Sequence, residues 1–140
     1  MINQISLRFD DVKIGQKAEF TEKIKESMIN EFAKISGDFN PLHIDEEYAK
    51  KTKFRKRICQ GMLLGSLVSR LLSTHLPGNN ALYVSQTLSF ILPCFINDEI
   101  MISGEIVDKD DIKKVLSVKT TITRDGKILV TGIAKVMLKD

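Results

Sequence analysis

The longest apolar segment of the chain has the periodicity of a buried helix. From Gly61 to Leu76, apolar side chains recur three and four residues apart and cover most of the helical circumference. Pro77 and Gly78 follow immediately and predict a sharp end. We therefore expect one long helix, beginning at Gly61, at the centre of the protein.

The sequence after this helix has the alternation that is typical of β-strands. Leu82 to Leu92 alternates over its whole length, and three further β-rich segments follow at Asp98 to Val107, Val115 to Thr123 and Ile128 to Leu138. Between the last two, Arg124-Asp125-Gly126-Lys127 contains the Asp-Gly pair that favours a two-residue hairpin turn. Four strands are therefore predicted after the helix.

The sequence before the helix predicts one more strand and two short helices. Gln16 to Lys25 alternates well enough for a half-buried strand. Met28 to Ile35 carries one apolar stripe, with Ser27 as the expected N-cap and Gly37 as the residue that ends the helix. The segment from Asp45 to Thr52 is expected to form one or two helical turns, capped by its first residue.

These elements predict the fold class. Five strands and one long helix favour an α+β arrangement, in which a mostly antiparallel sheet of about five strands carries the helix on one face. The chain has 140 residues, of which 43% are hydrophobic and 28% charged. These values are typical of a single packed domain, so we predict one domain over residues 1–140.

Charge and hydropathy narrow the classes of partner. The 21 Lys and Arg and 18 Asp and Glu leave a net charge of +3, which is too small to indicate a nucleic-acid partner. The basic stretch from Lys50 to Arg57 has little aromatic interleaving, so a solvated face is its simplest interpretation. A signal-peptide pattern and a membrane-length apolar run are both lacking. We expect a cytoplasmic protein with no membrane partner.

Cysteine and histidine usage argues against a metal. Cys59 and Cys94 lie 35 residues apart, and only His43 and His75 are available to complete a ligand set. The sequence also lacks a Gly-rich phosphate loop. We therefore expect no metal and no nucleotide cofactor, and two reduced cysteines that act as small core residues.

Asp38 and His43 are the strongest candidates for acid–base chemistry. They lie five positions apart in a loop whose Gly, Asn and Pro residues predict an ordered conformation. A carboxylate and an imidazole are the usual components of general acid and base catalysis. Spacing alone fits a structural role more often, with Asp38 capping a turn and His43 partly buried, and both interpretations remain open at this point.

Gly61 is a candidate of a different kind, because it begins the predicted central helix. Backbone N–H groups at a helix start have no intrahelical partner and lie at the positive end of the helix dipole. Such an amide can polarise a thioester or amide carbonyl and stabilise the enolate that develops from it. The alternative is a glycine that only permits close packing.

The run FAKISGDFNPLHIDEEYAKKTKFRKRICQGML resembles the signature of the MaoC-like (R)-specific enoyl-CoA hydratases, which adopt the hot-dog fold. The similarity continues through LLGSLVSRLLSTHLPGNNALYVSQTLSFILPCFINDEI and covers most of the chain. It implies that Asp38 and His43 are the catalytic pair and that the Gly61 amide binds the thioester carbonyl. It also implies that Asn40 shapes the loop and that Asn40 and Ser69 both line the site.

Two positions depart from the family pattern. Gln60 stands where the family commonly has histidine, and glutamine can form hydrogen bonds but cannot titrate. Arg57 stands where members often have proline, so we expect the local loop geometry to differ. Gln60 is counted among the residues that line the site.

The resemblance implies an activity and an assembly. The activity is reversible syn hydration of trans-2-enoyl-CoA to (R)-3-hydroxyacyl-CoA, with coenzyme A as part of the substrate and no separate cofactor. For the basic stretch from Lys50 to Arg57, attraction of the coenzyme A phosphates is then the alternative to a solvated face. The assembly is at least a homodimer. Three alternatives are a 3-hydroxyacyl-[acyl carrier protein] dehydratase, a hot-dog thioesterase and a non-catalytic module that binds acyl-CoA.

Overall fold

An antiparallel sheet of six strands forms one layer of the structure, a computed structural model that describes residues 5–138. The strands are β1 (Lys17–Lys23), β2 (Ala81–Gln86), β3 (Ser89–Phe90), β4 (Glu99–Asp110), β5 (Val115–Arg124) and β6 (Lys127–Leu138). Their order in the sheet is β1-β4-β5-β6-β2, and β3 also pairs with β6. All of these pairings are antiparallel.

The helices are α1 (Glu26–Ser36), α2 (Pro41–Ile44), α3 (Glu46–Lys50) and α4 (Gly61–Arg70). A short 3₁₀ turn at Phe9–Asp11 precedes β1, and a wider π-type turn over Leu71–His75 extends α4. Within residues 5–138, no helix has both the length and the apolar character needed to cross a membrane.

Helix α4 is the central helix that the periodicity predicts. It begins at Gly61 as expected, and Leu64, Val68 and Leu71 are buried along one side. The sheet contributes apolar side chains from alternate positions to the same core, as in the buried Ile100 and Ile102 of β4. The prediction of an α+β fold, with an antiparallel sheet around one long helix, is confirmed, although six strands replace about five.

The segment that separates β1 from α4 differs in detail from its prediction. Helix α1 begins one residue before Ser27, which therefore lies in the first turn instead of capping it. Gly37 ends α1 in the left-handed conformation, with φ of 78°, as expected. The predicted loop from Asp38 to His43 is partly helical, because α2 occupies its second half. Asp45 caps α3 as predicted, since its Oδ1 accepts a 3.1 Å hydrogen bond from the amide of Tyr48.

The predicted single strand from Leu82 to Leu92 is divided into β2 and β3. At the break, the backbone carbonyl of Thr87 lies so close to Gly132 of β6 that a Cβ on this glycine would be 1.8 Å from the oxygen. The Thr87 hydroxyl also accepts a 2.9 Å bond from the amide of Ile133, which replaces regular strand pairing. By contrast, the turn at Asp125 and Gly126 is confirmed as a two-residue hairpin, with both φ angles positive.

Candidate active site

A cleft of about 540 Å³ lies beside the first turn of α4. Three predicted site residues, Asp38, His43 and Gly61, line it together. Its remaining walls are largely apolar and include Phe54 and Phe90. The cleft therefore combines one carboxylate, one imidazole and a helix-start backbone with apolar surface, which is the usual composition of a small-molecule site.

The side chains of Asp38 and His43 face each other at a distance that allows one water molecule to contact both. The Asp38 Oδ2 atom lies 4.0 Å from His43 Nε2, beyond a direct hydrogen bond. The Asp38 side chain is 44% exposed and the His43 side chain 12%. The other oxygen, Asp38 Oδ1, accepts a 3.2 Å bond from the amide of Asn40. One carboxylate thus closes a turn and presents its second oxygen to the imidazole.

A backbone carbonyl, that of Ile58, determines which ring nitrogen of neutral His43 carries the hydrogen. His43 Nδ1 lies 2.9 Å from the backbone oxygen of Ile58. A carbonyl can only accept, so Nδ1 carries the hydrogen and donates it. In the neutral ring Nε2 is then the unprotonated nitrogen, and this is the atom directed towards Asp38. Proton exchange at His43 therefore takes place at Nε2.

Arg57 holds the backbone of the same histidine. Its Nε donates a 2.6 Å hydrogen bond to the His43 carbonyl oxygen. Its two terminal nitrogens donate 2.9 Å bonds to Glu26 and Asn30 on α1. The arginine is only 7% exposed, unlike the solvated residue that its place in a basic stretch predicts. Sequence periodicity offers no signal for this contact, because the partners lie 14 to 31 residues away.

Gly61 occupies the first position of α4, where its N–H has no intrahelical acceptor. Across residues 5–138, no backbone or side-chain acceptor is recorded for this amide. The Phe90 ring packs against the glycine so closely that an added Cβ would be 2.6 Å from Phe90 Cε1. The site therefore has an amide available to a ligand, at a residue where a side chain would displace an aromatic wall.

Gln60 lies behind the cleft and is absent from its lining. The side chain is 1% exposed, and its Nε2 donates a 2.9 Å bond to the backbone oxygen of Ile29 on α1. Its Oε1 atom is buried without a partner in the described part of the chain. Gln60 thus anchors the start of α4 to α1 and leaves one polar atom unsatisfied.

Asn40 and Ser69 lie outside the Asp38 cleft. Asn40 caps α2, because its Oδ1 accepts a 3.1 Å bond from the amide of Leu42. This contact is the loop-shaping geometry that the resemblance implies for it. Ser69 lines a second groove, of about 690 Å³, between α4 and β2. The two cavities share Met62 and Phe90, so Ser69 borders the neighbouring space.

Cys59 and Cys94 line the cleft and lie beside one another. The Cys59 amide donates a 2.7 Å bond to the Cys94 carbonyl, and both thiols are free and buried. Hydrogen bonding with Cys94, followed by burial, raises the pKa of the Cys59 thiol. The Cys59 thiol therefore remains protonated, and both cysteines act as buried packing residues. Among residues 5–138, no set of three His, Cys, Asp or Glu side chains is placed to hold a metal ion.

Comparisons with known proteins agree on one family. The MaoC like domain matches residues 10–127. The (R)-specific enoyl-CoA hydratase of Rhodospirillum rubrum is 41% identical over 130 residues, which are 93% of this chain and 90% of that protein. A mitochondrial 3-hydroxyacyl-[acyl-carrier-protein] dehydratase of Solanum lycopersicum is 38% identical over 130 residues, covering 91% and 78% of the two chains.

A solved structure shows the same fold. The unliganded (R)-hydratase of Pseudomonas aeruginosa superposes with a TM-score of 0.91 at 37% identity, covering 96% of this chain and 88% of that one. The architecture is that of a hot-dog domain, with a cleft lined by Asp38 and His43 at the start of its central helix. The chain belongs to the MaoC-like domain family.

Proposed function

We propose that this protein is an (R)-specific enoyl-CoA hydratase, a hydro-lyase that adds water reversibly across the double bond of trans-2-enoyl-CoA. One observation carries the proposal: Asp38, His43 and the Gly61 backbone line a single cleft in a MaoC-like domain. The similarity to the Rhodospirillum rubrum hydratase over nearly the whole chain supports the reaction type.

The Asp38–His43 pair performs the proton transfers. A water molecule between Asp38 Oδ2 and His43 Nε2 can contact both atoms across their 4.0 Å separation. The pair holds one exchangeable proton before the reaction. Its unprotonated member takes a proton from the water as the oxygen bonds to C3, and its protonated member delivers a proton to C2. The proton count of the pair is unchanged, and both additions occur on the face of the substrate that the pair occupies, which is syn addition.

The Gly61 amide stabilises the charge that this addition creates. As the water oxygen attacks C3, negative charge develops on the thioester carbonyl oxygen until C2 is protonated. An N–H at the start of α4 can donate to that oxygen, and the positive end of the helix dipole adds to the effect. Removal of one such donor typically costs about 100- to 1000-fold in kcat.

The decisive experiment follows the loss of enoyl-thioester absorbance with crotonyl-CoA. Turnover by the wild-type protein that is lost in both Asp38→Asn and His43→Ala supports hydration by this pair. His75→Ala provides a matched control, because the other histidine lies at the far end of the central helix. The product should be oxidised by an (R)-3-hydroxyacyl-CoA dehydrogenase and left untouched by an (S)-specific enzyme.

The carrier of the acyl chain is the main alternative, because the tomato relative is named as a dehydratase of carrier-protein substrates. Faster turnover of crotonyl-acyl carrier protein than of crotonyl-CoA would favour that function. Release of free thiol would indicate a thioesterase instead. If no thioester turns over while acyl-CoA binds equally well to the wild type and Asp38→Asn, the protein is a non-catalytic binding module.

We also propose a homodimer that pairs through β2. This strand lies at one end of the sheet, and its Leu82, Tyr83 and Val84 side chains are exposed beside the groove on α4. Pairing of two such edges satisfies their backbone groups and covers the apolar surface. Analytical ultracentrifugation should give a dimer for the wild type and a monomer for Val84→Lys. An unchanged dimer in that variant would place the interface elsewhere.

A cytoplasmic location and a single domain complete the proposal. Both rest on the sequence pattern, together with one continuous core of buried residues in the described chain. Cell fractionation with an antibody against the protein tests the location, and limited proteolysis tests the domain count.

A further inference from the structure

The structure divides the basic stretch between Lys50 and Arg57 into two kinds of residue. Lys50 pairs with Glu47 at 3.1 Å, and Arg57 is buried against α1. Four cations remain exposed: Lys51, Lys53, Arg55 and Lys56. None of these four pairs with a carboxylate within residues 5–138. We call these four residues the basic rim.

One residue of the basic rim lines the Asp38 cleft, and a second lies beside the cleft. Lys53 and its neighbour Phe54 line the cleft directly. The Lys56 ammonium lies 4.4 Å from the centre of the Phe95 ring, beside the cleft-lining Cys94. The rim is also ordered by its backbone, since the Arg55 amide donates a 3.1 Å bond to the Thr52 carbonyl. Six consecutive residues therefore carry four positive charges without a carboxylate partner, with Lys53 in the cleft wall and Lys56 beside it.

We propose that the basic rim is a binding site for the phosphate groups of coenzyme A. This inference rests on the proposed function and adds the part of the substrate that the catalytic residues do not contact. The thioester must reach Gly61, and we place the exit of the pantetheine arm along the cleft wall that Lys53 and Phe54 form. The phosphates at the far end of that arm are multiply charged, and unpaired Lys and Arg side chains bind such groups strongly. None of the four rim side chains takes part in the proposed hydration, which uses Asp38, His43 and the Gly61 amide.

Charge complementarity of this kind acts mainly on the encounter between substrate and enzyme. A cluster of like charges beside a cleft raises the local concentration of oppositely charged ligands and is weakened by salt. The rim should therefore affect kcat/KM more than kcat. A thioester that lacks phosphates should gain nothing from it.

The experiment combines truncation of the substrate with removal of the charges. Crotonyl-CoA is compared with crotonyl-pantetheine, which keeps the arm and lacks every phosphate, in the wild type and in Lys53→Gln/Arg55→Gln/Lys56→Gln. Lys34→Gln/Lys113→Gln/Lys127→Gln removes the same net charge from exposed positions on other elements and is the matched control. We expect the ratio of kcat/KM for the CoA thioester over the pantetheine thioester to fall about tenfold in the rim variant only.

Binding measurements separate this inference from the proposed function. Calorimetric titration of free coenzyme A and of dephospho-coenzyme A into the same three proteins requires no turnover. Equal affinity of coenzyme A for the wild type and the rim variant overturns the inference, whether or not the protein is a hydratase. A rim variant that loses activity on crotonyl-acyl carrier protein and keeps it on crotonyl-CoA also overturns it, because the rim then contacts the carrier protein.

Discussion

The Nε atom of Arg57 donates a 2.6 Å hydrogen bond to the carbonyl oxygen of His43. Because the next residue, Ile58, accepts a bond from the imidazole Nδ1, consecutive residues hold both the backbone and the ring of this histidine. We predict that Arg57→Ala lowers kcat for crotonyl-CoA by at least about tenfold with little change in KM, since a small displacement of a catalytic group is costly. Steady-state kinetics give both constants.

A lower kcat in Arg57→Ala has to be distinguished from a general loss of stability of the protein. Arg57→Ala should cost about 1–3 kcal/mol in the free energy of unfolding, because the His43 carbonyl loses its partner. Arg70→Ala removes a comparable 2.8 Å bond to Glu22, away from the cleft, and should keep its kcat. An Arg57→Lys protein with restored kcat supports positioning, whereas equal kcat in the alanine and wild-type proteins contradicts it.

Close packing of Phe90 against Gly61 gives a second prediction. A Cβ at position 61 would lie 2.6 Å from the ring, so Gly61→Ala must displace it at the position where the thioester carbonyl binds. We expect kcat/KM for crotonyl-CoA to fall by at least about tenfold. Displacement of the ring should also lower the free energy of unfolding, by about 1–3 kcal/mol relative to Gly65→Ala, and thermal unfolding of the two variants measures this loss.

Two further variants test the origin of that effect. Gly65→Ala is the matched control, since its Cβ would lie 3.0 Å from the end of the Leu88 side chain and at ordinary contact distance, 3.6 Å, from Met62 Cε. Phe90→Leu placed in the Gly61→Ala background should restore part of the activity by making room. Full activity of Gly61→Ala by itself would show that this face of the helix start does not contact the substrate.

His75 should give the protein a loss of stability in mild acid. Its ring stacks on Phe20 with centroids 5.0 Å apart, and its Nε2 is buried without a partner in the described residues. Burial, and then the charge of Arg70, lower the pKa of His75 from its ordinary value of 6.5. Below pH 6.5 the unfolded chain therefore binds a proton that the folded protein does not.

The stability of the wild type should consequently fall as the pH drops below 6.5, by up to about 1.4 kcal/mol per pH unit from this group. Urea unfolding of the wild type and His75→Gln between pH 5 and 8 measures the difference. The two curves should converge in slope above pH 7. Parallel curves over the whole range would mean that His75 titrates normally in the folded protein.

The parts of the fold that could be predicted are those fixed by neighbouring residues. The start of the central helix at Gly61 and the hairpin at Asp125 and Gly126 follow from local backbone preferences and local periodicity. The break between β2 and β3 could not be predicted, because its cause is the approach of Thr87 to Gly132 on another strand. Alternation along one segment carries no information about such a contact.

The candidate site also has features that could be predicted and features that depend on tertiary packing. The resemblance placed Asp38, His43 and Gly61 at one site, and the structure brings all three to one cleft. It could not show that Gln60 points away from the cleft to the Ile29 carbonyl, or that Arg57 is buried. Both side chains contact α1, which the chain leaves more than 20 residues earlier, so their surroundings depend on tertiary packing.

The paired thiols of Cys59 and Cys94 give the last prediction, at high pH. The raised pKa of Cys59 means that the folded protein keeps a proton which the unfolded chain releases above its ordinary value of 9.0. Unfolding is therefore favoured as the pH rises, and stability should fall above pH 9 more steeply in the wild type than in Cys59→Ala/Cys94→Ala. Urea unfolding at pH 8 and pH 10 measures this, and equal losses in both proteins contradict it. Because both thiols are buried, Ellman's reagent should label the native protein slowly at pH 8 and rapidly once urea unfolds it.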